Sequence, residues 1–581
     1  MDSALHPYRL GAGQRQLWTF PGGLHLPDEK ALSNQAPLAS APLPRQLIIP
    51  LRQHIGAPAK PVVAVGDRVL KGQLIGEAQG RLSATIHASS SGTVIAIEER
   101  PVPHASGMSA PCILIETDGE DAWAELPPPL STRPDPEVLR ERIRWAGIVG
   151  LGGAAFPSSV KLTPAPGVRI RTLIINGAEC EPYISCDDRL MRDKPERILQ
   201  GARLLRDLLG VDECLIAVED NKPEAILALR QSLVTDGDAA GIEIIAIPTL
   251  YPSGGEKQLI RILTGQEVPS RGIPAQIGIV CQNIATAAAI ADAAFDGKPL
   301  ISRIDTLTGR GLGQPRNLEV PIGVPIRDLI DQAGGLSPRL RRLLIGGPMM
   351  GFACDDLDMP VTKAVNCLLA LSPDEAPDPG PALACIRCGV CAQACPVSLL
   401  PQQLYWHARA RDLDKVRDYN LFDCIECGCC AVVCPSHIPL VQYYRFAKNE
   451  CLARDQEKRQ AEHARQRHEA KEARLERLEQ ERKANLRKKK EGLAEKAATS
   501  PPAGTPAAGA LAPAAAAEDP KKAAIAAALK RAAEKKAALA SQGLAPKNTE
   551  NLAPAQQRQV EAAEVRRREL QAAEDAARPR E

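Results

Sequence analysis

The sequence predicts a multidomain protein of the α/β class, and three observations lead to this prediction. The chain has 581 residues, more than one hydrophobic core can hold, so several domains are expected. In its central part, apolar β-branched runs alternate with helix-length segments, a pattern typical of a parallel sheet with helical crossovers. Two cysteine runs of identical spacing follow at residues 385 and 424, and they predict a further small domain that binds metal.

Composition argues against several classes of function. Lys plus Arg number 72 and Asp plus Glu 70, so the net charge gives no argument for nucleic acid or an anionic membrane as a ligand. Aromatic residues make up only 3%, which disfavours a stacking platform for single-stranded nucleic acid. The start of the sequence lacks the basic and apolar regions of a signal peptide, and polar residues interrupt its most apolar stretch, 275–295. We therefore expect a cytosolic protein whose 17 cysteines are reduced thiols and metal ligands.

The first 126 residues predict an arm followed by a small β domain. The arm, 1–44, is rich in Pro and Gly, and 45–126 alternates short β-branched runs with glycine turns. The second segment resembles the hammerhead fold, or barrel-sandwich hybrid, of biotinyl and lipoyl carrier domains, in which a lysine at a hairpin tip carries the cofactor. Here the predicted tip around Gly80 has no lysine, and Lys71 belongs to an earlier turn. We therefore expect a structural role, not a carrier role.

Strands and helices alternate between residues 137 and 298, after a Pro-rich linker. The runs "RTLIING", "ECLIAVED" and "GIEIIAIPTL" predict strands, and "RLMRDKPERILQGARLLRDLLG" predicts a helical crossover. This pattern indicates a Rossmann-like α/β domain. The following segment, 299–360, predicts a small α/β module at its edge.

The two cysteine runs predict two iron–sulfur clusters in the segment 381–448. Both runs read C-x2-C-x2-C-x3-C-P. Zinc is the competing interpretation, but a structural zinc site usually takes two cysteine pairs separated by a longer loop. In two-cluster ferredoxins, the fourth cysteine of each run serves the other cluster. One [4Fe–4S] cluster is therefore expected on Cys385, Cys388, Cys391 and Cys434, and the second on Cys424, Cys427, Cys430 and Cys395.

Two further features accompany this ferredoxin-like segment. Cys429 falls between predicted ligands, and we expect it to be a packed thiol. The tail, 452–581, is rich in Ala, Lys, Glu and Arg and contains no aromatic residue. Such a composition favours local helix or disorder but cannot bury a core. We interpret it as a solvated tail in preference to a docking element.

Polar phrases follow the predicted strands of the central domain, and a glycine loop precedes them. The phrases are "NGAECEPYISCDDRLM", "YPSGGEKQLI" and "CQNIATA", and the loop is "GLGGAAFP". Ligands of α/β sheets bind at the carboxyl ends of the strands, and glycines let backbone N–H groups approach a phosphate at a helix start. By itself the loop could also be a tight turn.

These phrases resemble the C subunit of the Rnf (also called Rsx) ion-translocating electron-transport complex. The resemblance runs from "FPGGLHLPDEK" through "GGEKQLI" and "GGPMMG" to both cysteine runs, about residues 20–448. The central domain is also similar to the flavin-binding, NADH-oxidising subunit of respiratory complex I, whose loop ends in "GGAGFP". Ala155 replaces the last glycine of that loop, and its methyl group should be tolerated only at a negative φ. Ala178 stands where the complex I subunit has an aspartate.

The resemblance implies a peripheral subunit at the cytoplasmic face of the bacterial inner membrane, which passes electrons between NADH, FMN and the two clusters. The implied partners are the other subunits of the complex, including a ferredoxin-like iron–sulfur subunit. FMN would be bound non-covalently and would supply the chemistry, so no catalytic side chain is expected. Phe156 and Glu181 would lie near NADH. The flavin would contact Gly152, Gly153, Lys161, Asn176, Glu179, Tyr251, Gly254, Glu256, Asn283 and Thr286. The alternative is a flavin-free iron–sulfur adaptor or scaffold.

Overall fold

The computed structural model describes residues 15–235, 240–378, 380–498 and Lys530. The chain forms two compact units, 1–468 and 469–581. Residues 1–14 of the predicted arm, and 499–529 and 531–581 of the predicted tail, lie outside the described residues.

The arm leads into a β domain of two antiparallel sheets. Their strand orders are β2-β8-β7-β4 and β3-β5-β6. Alternate residues of β2 point into the core, where Leu47 lies opposite Ile115 and Ile49 opposite Ile113. This period of two is what buries one face of each sheet. The bounds are β1 Ala39–Ser40, β2 Gln46–Pro50, β3 Lys60–Pro61, β4 Arg68–Val69, β5 Leu74–Glu77, β6 Ile86–His87, β7 Gly92–Pro101 and β8 Ser109–Thr117.

Lys71 makes contacts within its own domain. Its ammonium pairs with Asp121 and lies 5.0 Å from the centre of the Trp123 ring. The predicted tip at Gly80 is an exposed turn with a φ of 72°. We predict that intact-mass spectrometry of protein made in its native host finds no biotinyl or lipoyl adduct. An adduct mapped to Lys71 would contradict the structural role.

The central domain is a four-stranded sheet of order β11-β10-β9-β12, and all its strands are parallel. The three predicted strands are confirmed. The predicted crossover is two helices, because Pro195 restricts the backbone of Lys194 and separates α3 from α4. The bounds are α1 Pro136–Trp145, α2 Ser158–Lys161, β9 Thr172–Gly177, α3 Cys186–Asp193, α4 Pro195–Leu209, β10 Glu213–Glu219, α5 Pro223–Thr235, β11 Ile242–Ile247, α6 Glu256–Thr264, β12 Ile279–Asn283 and α7 Ile284–Phe295.

The small module that follows is built on a six-stranded mixed sheet of order β1-β14-β13-β17-β15-β16. The arm supplies its edge strand, because β1 runs parallel to β14. The sheet also contains β17, which lies beyond the predicted boundary at residue 360. The bounds are β13 Ser302–Thr308, β14 Arg316–Pro321, α8 Ile326–Gln332, β15 Arg342–Ile345, β16 Phe352–Ala353 and β17 Cys367–Leu371.

The cysteine segment is helical, and its two halves repeat one backbone conformation. Arg387 and Glu426 occupy the same place in the two runs and both have positive φ, 58° and 57°. Ser398 and His437, each three residues after the last cysteine of a run, match in the same way with φ of 53° and 49°. The repeated spacing therefore produces a repeated loop. The bounds are α9 Val390–Gln393, α10 Pro401–Arg409, α11 Leu413–Asp418, α12 Cys429–Val432 and α13 Leu440–Ala498.

The start of α13 belongs to the cysteine domain. Tyr444 and Cys451 are buried in its core, and Arg417 donates to the carbonyl of Cys451 and to the carboxylate of Asp455. The predicted start of the tail at 452 therefore falls within a helix that is still packed. From residue 456 to 495 the side chains of α13 are nearly all exposed. Within the described ranges, no helix combines the length and the apolar character needed to cross a membrane.

Candidate functional site

The eight predicted cluster cysteines line two small cavities. Cys385, Cys388, Cys391 and Cys434 line the first cavity, together with Gln402 and Tyr405. The second cavity is lined by Cys395, Cys424, Cys427 and Cys430, together with Tyr444. Each cavity thus receives three cysteines from one run and the fourth from the other. Four thiols around one small, mostly apolar cavity form a donor set suited to an iron–sulfur cluster.

Burial makes several of these thiols harder to ionise. It raises the pKa of Cys395, and it raises the pKa of Cys424 to about 11. A thiolate in such surroundings needs a metal or a hydrogen-bond donor to be stable. The backbone N–H of Leu399 provides one donor, 3.3 Å from the Cys395 sulfur. Cys429 is fully buried between Tyr251 and the second run, as expected of a packed thiol.

The strand-end phrases and the glycine loop converge at one edge of the central sheet. Asn176 at the end of β9 donates to the Gly254 carbonyl at 2.8 Å. The Lys161 ammonium lies 2.6 Å from the Glu256 carboxylate. Thr286 on α7 accepts from the Leu151 N–H of the glycine loop at 3.0 Å. Three phrases that are far apart in sequence therefore form one site.

Asn283 links two helices at this edge. Its side-chain oxygen accepts from the N–H of Ala285 at the start of α7, and its amide donates to Asp187 of α3 at 2.8 Å. A Cβ on Gly152 would lie 3.0 Å from the Asn283 side chain. A side chain at Gly152 would therefore require the Asn283 side chain to shift slightly.

The glycine loop differs from expectation at two points. Ala155 has a φ of 49° and is buried, so the expectation that alanine requires a negative φ here is wrong. The left-handed conformation costs an alanine roughly 1–2 kcal/mol, and packing in the domain core holds it there. The helix after the loop, α2, has only four residues, so its dipole is that of a single turn. Gly153 is exposed, and nothing lies within 4 Å of a Cβ built on it.

Glu179 is a buried carboxylate that faces the start of α3. It accepts from the N–H groups of Asp187 at 2.6 Å and Asp188 at 3.3 Å. Burial raises the pKa of Glu179 to about 7, although the charge of Lys30 acts in the opposite direction. Its own φ is 50°, so the loop that carries it is held in a constrained conformation.

Glu181 joins the strand-end loop to the "GGPMMG" phrase. Its carboxylate accepts from the N–H groups of Met349 at 2.7 Å and Met350 at 3.0 Å. Burial raises the pKa of Glu181, against the effect of these two hydrogen bonds. A Cβ on Gly347 would lie 2.1 Å from the Glu181 side chain, which explains the glycine. Phe156 lies on the glycine loop, where its carbonyl accepts from the Gly150 N–H at 2.9 Å.

Two buried lysines of this site were not predicted from the sequence. The Lys30 ammonium, from the arm, donates to the carbonyls of Glu179 at 2.8 Å and Glu181 at 3.1 Å. The Lys222 ammonium donates to the Ala178 carbonyl at 2.7 Å and to the Glu219 carboxylate at 3.1 Å. Lys30 ends the phrase "FPGGLHLPDEK". Nothing in the spacing of that phrase indicates a partner 149 residues away.

Tyr251 connects this edge of the sheet to the cysteine domain. Its ring is 3% exposed, and its hydroxyl donates to the Cys427 carbonyl at 2.7 Å. Cys427 lines the second cysteine cavity. The flavin-type phrases and one of the cysteine sites are thus in direct contact.

A larger cavity, of about 840 Å³, borders this edge of the sheet, where Leu151, Asp187 and Ala285 line it, and extends along α4 and α7 to Lys71. Its lining includes charged residues of both signs, among them Arg197 and Asp292. The predicted flavin residues, all of which the structure describes, are not among its lining residues. The predicted flavin residues themselves meet at the strand ends, the usual place for ligands of α/β sheets.

Family models match the chain in four successive segments. The RnfC barrel sandwich hybrid domain matches 18–120, and the Nuo51 FMN-binding domain matches 143–292. The SLBB domain matches 306–353, and the 4Fe-4S dicluster domain matches 381–438. These matches confirm the predicted kinds of domain: a barrel-sandwich domain, a flavin-type domain and a two-cluster domain.

Curated relatives point consistently to one family. The C subunit of the ion-translocating oxidoreductase complex of Pseudomonas aeruginosa is 54% identical over 469 residues, 81% of this chain and 60% of that protein. The corresponding protein of Klebsiella pneumoniae is 50% identical over 466 residues, 80% of this chain and 61% of that protein. The chain thus matches about three fifths of the length of these relatives.

A crystal structure of an NAD+-reducing [NiFe]-hydrogenase is 21% identical, with 54% of this chain and 61% of that chain covered and a TM-score of 0.40. That likeness is too weak to bear on function. The curated relatives and the four domain matches identify the family. The chain belongs to the family of C subunits of ion-translocating oxidoreductase complexes.

Proposed function

We propose that the chain is the NAD(H)-interacting electron-transfer subunit of a membrane-bound ion-translocating oxidoreductase complex. It passes electrons between NAD(H), FMN and two [4Fe–4S] clusters and the partner subunits, among them a ferredoxin-like iron–sulfur subunit. The whole complex couples this transfer to ion translocation, and the chain is peripheral, at the cytoplasmic face of the bacterial inner membrane. The names of the relatives and the matches to FMN-binding and dicluster models support this proposal.

The contact between Tyr251 and Cys427 is the observation that carries the proposal. It joins the strand-end loops of the segment matching an FMN-binding domain to a cavity lined by four cysteines. When bound, FMN accepts a pair of electrons as hydride and releases them singly, as cubane clusters require. An electron-transfer chain needs its centres close together, and this contact brings the two kinds of site together within one folded unit.

The chain's own residues bind and orient the cofactors in this proposal. Gly153 would leave room for a phosphate at the exposed loop, and Asn176, Glu256 and Lys161 would offer polar groups to the flavin. Phe156 and Glu181 would lie near NADH. The domains have Rossmann-like, β-grasp-like and ferredoxin-like folds. The proposed cluster ligands are the eight cysteines of the two cavities.

One observation favours the alternative of a flavin-free iron–sulfur adaptor. The polar atoms of Asn176, Glu179 and Asn283 are already bonded to other groups of the chain. A flavin that displaced them would have to replace those bonds. The two functions differ in one measurable quantity, the amount of FMN that is purified with the protein.

The test is the cofactor content of anaerobically purified protein, together with a Gly153→Val variant. We expect about eight iron and eight sulfide per chain, the content of two [4Fe–4S] clusters, with bound FMN that NADH bleaches. Gly153→Val should keep the iron, because nothing lies within 4 Å of an added Cβ, but it should lose FMN. The φ of 159° is unfavourable for a β-branched side chain, so the thermal unfolding temperature should fall somewhat.

Three outcomes would count against the proposal. Stoichiometric zinc without sulfide would exclude the clusters. Two clusters without FMN would support the adaptor. Full FMN content in Gly153→Val would show that the FMN phosphate does not bind at this loop.

A further inference from the structure

The cysteine domain contacts the arm and the central domain at several points. Tyr251 exchanges two backbone hydrogen bonds with Leu24 of the arm, at 2.8 and 3.0 Å. One residue earlier, the Gly23 N–H donates to the Ala394 carbonyl at 3.1 Å. Ala394 precedes Cys395, a residue of the second cavity. The arm is therefore clamped between Tyr251 and the cysteine that the first run contributes to the second cavity.

Glu181 supports the same cavity from another direction. By binding the N–H groups of Met349 and Met350, it fixes a turn whose carbonyl, at Met349, lies 2.9 Å from the position of a Cβ on Gly428. Gly428 lines the second cavity. Farther along the chain, the Ser270 hydroxyl donates to Asp423, the residue before Cys424, at 2.6 Å. All of these contacts reach the second cavity or its immediate neighbours in sequence.

The first cavity instead reaches the surface of the chain. Two of its lining residues are exposed, Cys388 and Ile386, and Ile386 is 69% exposed. In the second cavity, Cys395 and Cys427 are each only 7% exposed. One cysteine site is thus enclosed against the central domain, and the other lies at the surface of this chain.

We propose that Tyr251 and Glu181 are positioning residues that hold the second cavity next to the flavin site, so that electrons cross the second cavity before the first. This role rests on the proposed function and adds to it the order in which electrons cross the two cysteine sites. Oxidation of NADH to NAD+ releases two electrons and one proton. The electrons leave singly through the site of Cys424, then through the site of Cys385, to a one-electron acceptor on a partner subunit. The proton goes to solvent.

Two cysteine variants test the order. In Cys391→Ala, which damages the first site, NADH should still reduce the remaining cluster. In Cys430→Ala, which damages the second site, NADH should leave the remaining cluster oxidised, while a strong chemical reductant reduces it. The readouts are stopped-flow absorbance and the EPR spectrum, with iron and FMN measured on each sample. The reverse pattern would overturn the order and leave the proposed function intact. If NADH bleached no flavin in the parent protein, the proposed function itself would fail.

A tyrosine pair tests the positioning and does not depend on a cluster surviving a cysteine change. Tyr251→Phe removes only the hydroxyl that donates to Cys427. Its matched control is Tyr443→Phe, because Tyr443 packs against the core of the cysteine domain but lines neither cavity.

Both variants should keep iron and FMN. Only Tyr251→Phe should slow NADH-dependent cluster reduction, by several-fold, and change the EPR line shape of the second cluster but not of the first. Equal rates in the parent protein and Tyr251→Phe, or equal slowing in Tyr251→Phe and Tyr443→Phe, would remove Tyr251 from this role.

Discussion

Replacing Lys30 with methionine is expected to empty the flavin site and to destabilise the 1–468 unit by about 3–5 kcal/mol, the usual cost of removing one partner from a buried ion pair. The Lys30 side chain is 4% exposed. Its ammonium donates to three backbone carbonyls, those of Glu179, Glu181 and Ile184, and lies 3.8 Å from the Glu179 carboxylate. Methionine fills a similar volume but satisfies none of these acceptors.

The same substitution should change how stability depends on pH. The pKa of Glu179 is raised from 4.5 to about 7 by burial, so the folded protein holds this proton more tightly than the unfolded chain. Its contribution to stability is complete below the ordinary pKa and is lost as the pH rises through the folded value. Lys30 limits that rise, and without its charge the loss extends above pH 7. The loss of unfolding free energy caused by Lys30→Met should therefore be larger at about pH 8 than at about pH 6.

Chemical unfolding at the two pH values and the FMN content of the purified variant measure these effects. Lys60→Met is the matched control, because Lys60 lies exposed on β3 and its loss should change stability by no more than about 0.5 kcal/mol. Retention of full FMN and parental stability in Lys30→Met would show that the arm does not hold the strand-end loop.

The second large effect is expected from Gly201→Ala. Gly201 lies on α4 where it crosses α7, and a Cβ there would lie 1.8 Å from the Ala287 carbonyl oxygen and 2.4 Å from its carbon. Both atoms are backbone, so neither can move aside without shifting a helix. Overpacking of this kind costs about 1–3 kcal/mol and occasionally more, and we expect the upper end because α4 and α7 cover the central sheet.

Thermal unfolding and limited proteolysis of the 1–468 unit test this expectation. Gly492→Ala is the matched control, since Gly492 also lies in a helix, α13, but has nothing within 4 Å of an added Cβ. Alanine there removes a helix-weakening glycine and should leave the unfolding of the 1–468 unit unchanged. Equal stability of Gly201→Ala and the parent would mean that α4 and α7 can move apart without a loss of unfolding free energy.

Features that depend on local spacing can be predicted from the amino-acid sequence. Apolar β-branched runs are enough to predict β9, β10 and β11, because a buried parallel strand requires an apolar segment of that length. The spacing of the cysteines likewise predicts which four share a cavity, since a tight loop can present only three thiols to one cluster. The positive φ values of Arg387 and Glu426 follow from the same repeat.

Features that depend on contacts between distant segments become visible only in the folded protein. Lys30 reaches Glu179, and Tyr251 reaches Cys427, across 149 and 176 residues, and no local pattern encodes such pairs. Ala155 is a second case in which local sequence is not enough. Its intrinsic preference predicts a negative φ, whereas core packing imposes a positive one. Local preference is worth about 1–2 kcal/mol per residue, and the packing of a whole loop can exceed it. The proposed order in which electrons cross the two cysteine sites also depends on such contacts, because it follows from which cysteine site lies against the central domain.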